Sequence, residues 1–226
     1  MPTVTILRRD KGKKESYEQT FSFEDKFRGS VVDLLHALNA RETLEDASGA
    51  PAKRICFECS CETGSCGACA MLVNGTPMLA CDAHLPDALR DGMLHLAPLT
   101  AFPCVCDLQV DRNVLRERAR DAGLWLAGTP HSAEDAFFSE CLHCGLCAEA
   151  CEKYRSGRFD APCAYTDADL LCGLEDADSA RRKALKKSLK KALLCPCKTG
   201  ECEDVCPRRL PLRQAIKRVG GSLFPF

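Results

Sequence analysis

Aromatic residues are scarce in this chain, 6% of 226 positions with Trp125 as the single tryptophan. No apolar run approaches the ~18 residues of a membrane span, and the opening MPTVTILRRDKGKKES has no stretch of signal-peptide type, which predicts a cytosolic chain unless a partner carries it elsewhere. Net charge is missing too: 31 Lys and Arg against 32 Asp and Glu leave no global field for nucleic acid, and no nucleic-acid partner is expected. A Ser-His-Asp order, a phosphate loop and paired carboxylates are all lacking, so no catalytic residue is assigned and no substrate chemistry of the chain's own is expected.

Cysteine is what the chain has in excess, 18 residues. In a small secreted protein that density reads as a disulfide scaffold, but a reducing compartment favours thiolate–metal bonding. Twelve of the cysteines form three tandem groups: Cys61-x4-Cys66-x2-Cys69 with Cys81; Cys141-x2-Cys144-x2-Cys147-x3-Cys151; and Cys195, Cys197, Cys202 and Cys206-Pro207. The first has the plant-type 2Fe-2S spacing. Gly64 and Gly67 let that loop curl so that amides face the sulfurs, and Ser65 offers another donor. Cys56 and Cys59 precede the loop and read as buried or half-buried free thiols, although Cys59 lies close enough in sequence to substitute as a ligand.

The second group reproduces the bacterial ferredoxin run, whose fourth cysteine serves another cluster. Reciprocity then assigns Cys141, Cys144, Cys147 and Cys206 to one 4Fe-4S cluster. Cys151 and Cys202, with Cys195, Cys197 or both, are left for a third, 3Fe-4S with one of the pair and 4Fe-4S with both. The single residue between Cys195 and Cys197 favours 3Fe-4S. Cys163 or Cys172 offers a further ligand, but both read more simply as packing residues of a helical domain, and so do Cys104 and Cys106. His143, inside a cysteine run, tunes a potential or simply packs.

Periodicity divides the chain in two. VTILRR at 4–9 and YEQTFSF at 17–23 predict a hairpin, and Val31 to Ala40 a helix capped by Ser30. AMLVNGTPMLAC predicts two strands about an Asn74-Gly75 turn, and LHLAPL at 94–99 a last strand. Beyond Asp107 only helical spacing is visible, which places domains at 1–106 and 107–226 with a linker near 105–112. The tail from Arg181 carries 13 Lys and Arg against three acids. Its segment RRKALKKSLKKALL predicts a solvated amphipathic helix covering the cluster core, with an anionic surface as the other reading.

Taken in order, TILRRD, CETGSCGACAMLVNGTPMLAC, LAPLTAFPCVCDLQVD, CLHCGLCAEAC and CEDVCPRRLPLRQAI resemble the iron-sulfur subunits of succinate dehydrogenase and fumarate reductase over nearly the whole chain. The resemblance implies an α+β protein, with an N-terminal plant-type ferredoxin-like (β-grasp) domain and an all-α bacterial-ferredoxin-like domain. It implies 2Fe-2S, 4Fe-4S and 3Fe-4S clusters, an FAD-containing flavoprotein partner, and a membrane anchor with quinone, haem b or both, on the cytoplasmic side of the inner membrane. The family commonly has Pro, Ser and Trp after the cysteine that matches Cys151; here Glu152, Lys153, Tyr154 and Arg155 stand, and no quinone-binding residue is carried over. The family also spaces the two third-cluster cysteines of the last run by five residues, against four from Cys197 and six from Cys195, which leaves that ligand and the iron count open. A soluble multi-cluster ferredoxin or a wire for another flavin-dependent reductase is the alternative reading.

Overall fold

The structure, a computed structural model, describes residues 1–121, 140–172 and 200–220, with single positions between 180 and 189. It divides into two compact units, Met1–Asp111 and Arg112–Phe226.

The first unit is built on a five-stranded sheet: β1 (Thr3–Arg8), β2 (Tyr17–Ser22), β3 (Ala70–Val73), β4 (Thr76–Leu79) and β5 (Met93–Ala97), in the order β2-β1-β5-β3-β4. Only β1 and β5 run parallel, from Thr3 opposite Met93 to Ile6 opposite Leu96; the other neighbours are antiparallel. The expected hairpins are present. Asn74 (φ 50°) and Gly75 (φ 78°) take the two positive-φ positions that a two-residue turn between β3 and β4 requires.

Helix α1 (Val31–Asn39) begins where expected. Ser30 accepts from the Asp33 amide through its hydroxyl, while the Asp33 carboxylate accepts from the Ser30 amide at 2.7 Å, a complete capping box. The helix buries Val31, Val32, Leu34, Leu35 and Leu38. At about 1.5–3 kcal/mol for each large apolar side chain, that face is worth on the order of 10 kcal/mol before chain entropy is subtracted.

Two findings correct the sequence reading of this unit. LHLAPL is not its last strand, because β6 (Cys104–Cys106) and β7 (Gln109–Val110) form a further two-stranded sheet and carry strand structure past Asp107. A two-residue strand is too short to show alternation. Nor do Cys104 and Cys106 belong to a helical domain; both lie on β6.

The same hairpin carries Asp107, at φ 44°, into a buried ion pair. Arg8, the third inward residue of β1 after Val4 and Ile6, is 2% exposed. It donates to Asp107 Oδ1 and Oδ2 at 3.2 and 2.9 Å, to Gln19 Oε1, and to the carbonyls of Lys53 and Arg54. Asp107 also accepts the amides of Arg9 and Cys56.

In the second unit the described residues form helices and no strand: α2 is Leu85–Ala88 in the first unit, and here follow α3 (Asn113–Asp121), α4 (Leu146–Ala150), α5 (Glu152–Arg155), α6 (Pro162–Cys172), α7 (Glu201–Asp204) and α8 (Leu212–Gly220). α8 lays Ala215, Ile216 and Val219 against Tyr165, Ala168 and Leu171 of α6. Phe159 stacks on Tyr165 at 4.9 Å between ring centroids. The basic segment at 181–194 lies mostly outside the described residues.

Candidate metal centres

The loop from Cys61 to Cys69 leads directly into β3, and Cys81 follows β4, so the β3–β4 hairpin returns the fourth cysteine to the first three. Cys69 Sγ and Cys81 Sγ stand 3.3 Å apart. Four sulfurs around a metal with bonds of ~2.3 Å are separated by roughly 3.7 Å, so this pair already has near the spacing of two ligands on one tetrahedral metal. The loop supplies donors to the sulfurs. Thr63 N and Ser65 N face Cys61 Sγ at 3.5 and 3.2 Å, Gly64 N faces Cys81 Sγ at 3.2 Å, and Ala68 N faces Cys66 Sγ at 3.4 Å.

Gly64 and Gly67, at φ 71° and 75°, turn the loop as expected. Ser65 contributes its amide, while its hydroxyl lies near Thr63. The Thr63 and Ala68 amides escaped the sequence reading because any residue type carries an N–H; only the loop's curl aims it. These bonds separate the thiols electrostatically. The Thr63 amide, then the Cys66 thiol, pull Cys61 down to about 6, whereas burial, then Cys69, push Cys81 up to about 12. Cysteines bind metal as thiolates, and a bound cation such as iron compensates their charge.

Cys59 and Cys56 are half-buried thiols, as expected. Cys59 is pushed up by burial and next by the Glu62 carboxylate. Cys56 lies beside the β6–β7 hairpin, where Leu108 N donates to its carbonyl and its thiol to Gln109 Oε1. Burial and then Cys106 raise it to about 12.

In the second unit Cys141, Cys144, Cys147 and Cys206 line one recess, although Cys206 is remote in sequence. Cys163 lines it as well. The sequence reading made Cys163 a packing residue, and it is buried, but its thiol also donates to Cys147, lowering Cys147 and raising Cys163 well above its ordinary value. Burial raises Cys141 and takes Cys144 to about 12. His143 Nε2 pairs with Asp167 at 2.9 Å, which raises the imidazole.

The two cysteine runs share a local structure. Gly145 (φ 85°) and Gly200 (φ 76°) head α4 and α7; Cys147 and Cys202 are the second residues of those helices, and Cys151 and Cys206 follow their ends. The left-handed start is open to glycine at little cost. α4 and α7 pack together, and Cys151 also rests against the Tyr165 core. Cys195 and Cys197, and the side chain of Cys172, lie outside the described residues.

Sheet, helix and cysteine loop define a ferredoxin-like 2Fe-2S protein, and the family model for a 2Fe-2S iron-sulfur cluster binding domain matches residues 3–117. The succinate dehydrogenase iron-sulfur subunit of Bacillus subtilis is 27% identical over 226 residues, spanning 93% of this chain and 88% of that protein. The fumarate reductase iron-sulfur subunit of Mycobacterium tuberculosis is 31% identical over 179 residues, 72% of this chain and 71% of that one. A chain of the Mycobacterium smegmatis Sdh1 complex in the apo form shares the fold, with a TM-score of 0.74 at 23% identity over 96% of this chain and 95% of its own. The chain belongs to the family of iron-sulfur subunits of succinate dehydrogenase and fumarate reductase.

Proposed function

We propose that the chain is the electron-transfer subunit of a complex that interconverts succinate and fumarate, set between the FAD of a flavoprotein and a membrane anchor carrying quinone, haem b or both. When bound, its three iron-sulfur clusters supply one-electron transfer. The chain's own part is to hold thiolates and tune them, and it has no bond-making centre. Its place is the cytoplasmic side of the inner membrane, on the anchor; no described helix is long and apolar enough to cross a membrane.

In this reading Cys61, Cys66, Cys69 and Cys81 hold 2Fe-2S, and the amides of Thr63, Gly64, Ser65 and Ala68 favour charge on those sulfurs. Cys141, Cys144, Cys147 and Cys206 hold 4Fe-4S in an all-α, bacterial-ferredoxin-like unit. Cys151 and Cys202, with Cys195 or Cys197, hold 3Fe-4S; both of the pair together make it a second 4Fe-4S. The observation that carries the assignment is that Cys206, remote in sequence, lines the recess of Cys141, Cys144 and Cys147, where the cross-over cysteine of a bacterial ferredoxin run belongs. Cys163 serves there as a thiol donor to Cys147.

Iron and acid-labile sulfide counted on the full chain, with electron paramagnetic resonance after reduction, test this. Nine irons match the 3Fe-4S option and ten the all-cubane one, and the Cys66→Ser variant keeps the cubane signals while losing the 2Fe-2S signal. Zinc in place of iron and sulfide sinks the proposal. Copurification with a larger flavoprotein separates a subunit from a free ferredoxin.

A further inference from the structure

Besides the cysteine cages, a side chain of α1 converges with two from the start of the first cysteine loop. His36 Nε2 of α1, Cys59 Sγ and Glu62 Oε1 all lie within 4.8 Å of one another. The N···O separation is 3.2 Å and the S···O separation 3.9 Å. A tetrahedral zinc, with bonds of ~2.0–2.1 Å to nitrogen, ~2.0–2.2 Å to oxygen and ~2.3 Å to sulfur, sets those edges at roughly 3.4 and 3.6 Å.

From this convergence we propose that His36, Cys59 and Glu62 form a separate site for a divalent transition metal of zinc type, with a fourth position open to water. The donor set fits that class. One imidazole, one thiolate and one carboxylate suit a borderline-soft cation and disfavour magnesium or calcium, which take oxygen ligands. Thiolate and carboxylate together bring two negative charges, which a dication neutralises. His36 and Glu62 are each 53% exposed, so water reaches the open position, while Cys59 is half-buried.

The site is also held in shape. His36 rides on a helix whose Leu34, Leu35 and Leu38 are fixed in the core, and its ring meets Phe57 edge-on at 5.1 Å. Glu62 occupies a left-handed position, φ 56°, directly after Cys61. A simple His–Glu ion pair accounts for two of the three groups, but not for a thiol directed at the same carboxylate. Granting the proposed 2Fe-2S cluster, on which this clause alone rests, a dication there sits next to a cluster ligand and shifts the cluster's midpoint potential upward.

The test uses the full chain with its iron counted first. It is dialysed against buffered Zn²⁺, and zinc, iron and the visible spectrum are then measured. Expected are one additional zinc per chain, an unchanged iron count, and affinity lowered at least about tenfold in His36→Gln and in Cys59→Ala. His36 is exposed, so its variant keeps the fold even if the Cys59 variant does not. No retained zinc, zinc gained as iron is lost, or zinc held equally by His36→Gln overturns the proposal. A chain without iron fails the cluster assignment instead; the dependence of zinc on His36 still decides the zinc site.

Discussion

Replacing Asp107 by alanine removes the acceptor of a guanidinium that is 2% exposed, and the structure shows what is left behind. Arg8 keeps Gln19 and the carbonyls of Lys53 and Arg54 but loses both carboxylate oxygens, and the amides of Arg9 and Cys56 lose theirs. A buried charge stripped of its partner costs about 3–5 kcal/mol. For a unit of this size each kcal/mol lowers Tm by roughly 4–8 °C, so a fall of about 12–40 °C is expected.

Because the network ties β1 and the β6–β7 turn to residues 53–56, just ahead of Cys61, iron–thiolate absorbance should disappear in the same thermal transition that circular dichroism follows. The double variant Arg8→Leu/Asp107→Leu removes both charges and should lose much less than the sum of the single changes. An Asp107→Ala variant whose unfolding free energy stays within about 1 kcal/mol of the parent would refute the claim that Arg8 depends on this carboxylate.

Other perturbations reach different parts of the chain. Ser30→Ala should cost about 1 kcal/mol in urea unfolding through loss of the α1 cap. The Asp33 carboxyl lies below its ordinary value of 3.8 because the Ser30 amide, then the Ser30 hydroxyl, bond to its charged form. Its contribution is therefore present above that value and fades as pH falls through the lower folded-state pKa, so the Ser30→Ala variant should show a shallower acid limb in a stability–pH series. Gly64→Ala meets no atom within 4 Å but forces a side chain at φ 71°; stability should fall by about 1 kcal/mol, and the 2Fe-2S resonance should shift as the amide facing Cys81 turns. Cys163→Ala should retain the full iron count, whereas Cys206→Ala should lose a cluster's worth; equal losses would make Cys163 a ligand.

Local signals were the legible ones. The Ser30 cap and the Asn74-Gly75 turn are each written in a few consecutive residues, and each forms as read. Contacts distant in sequence were harder. Arg8 continues the inward alternation of Val4 and Ile6, a sign that an arginine is buried, but nothing local names Asp107 as its partner. β7 was lost for its brevity, and with it the place of Cys104 and Cys106. His36 and Glu62 look like ordinary surface residues until α1 and the cysteine loop meet. Cys206 was the long-range exception, because a repeated spacing rule, rather than hydrophobicity, grouped it with Cys141, Cys144 and Cys147, whose recess it lines.

The same contrast separates the cohesion of one unit from that of the other, each taken by itself. The first has a continuous apolar interior of strand and helix residues, with Val4, Ile6, Phe21, Leu35, Leu94 and Leu96 almost wholly buried. Its cysteine loop is attached to that frame through β3 and β4. In the second unit, by contrast, α4, α5 and α7 are each of four or five residues, too short to persist as helices alone. Their ends carry the cysteines proposed for two clusters, and among the described residues α6 and α8 pack through an extended apolar face. On the proposed assignment metal–thiolate bonds hold these short helices together, so iron chelation should open α4 and α7 while leaving the sheet of the first unit. Hydrogen exchange before and after chelation reads this directly: amides of β1, β3 and β5 should stay protected as those of α4 and α7 open, and equal exposure of both sets would show that the sheet, too, depends on metal.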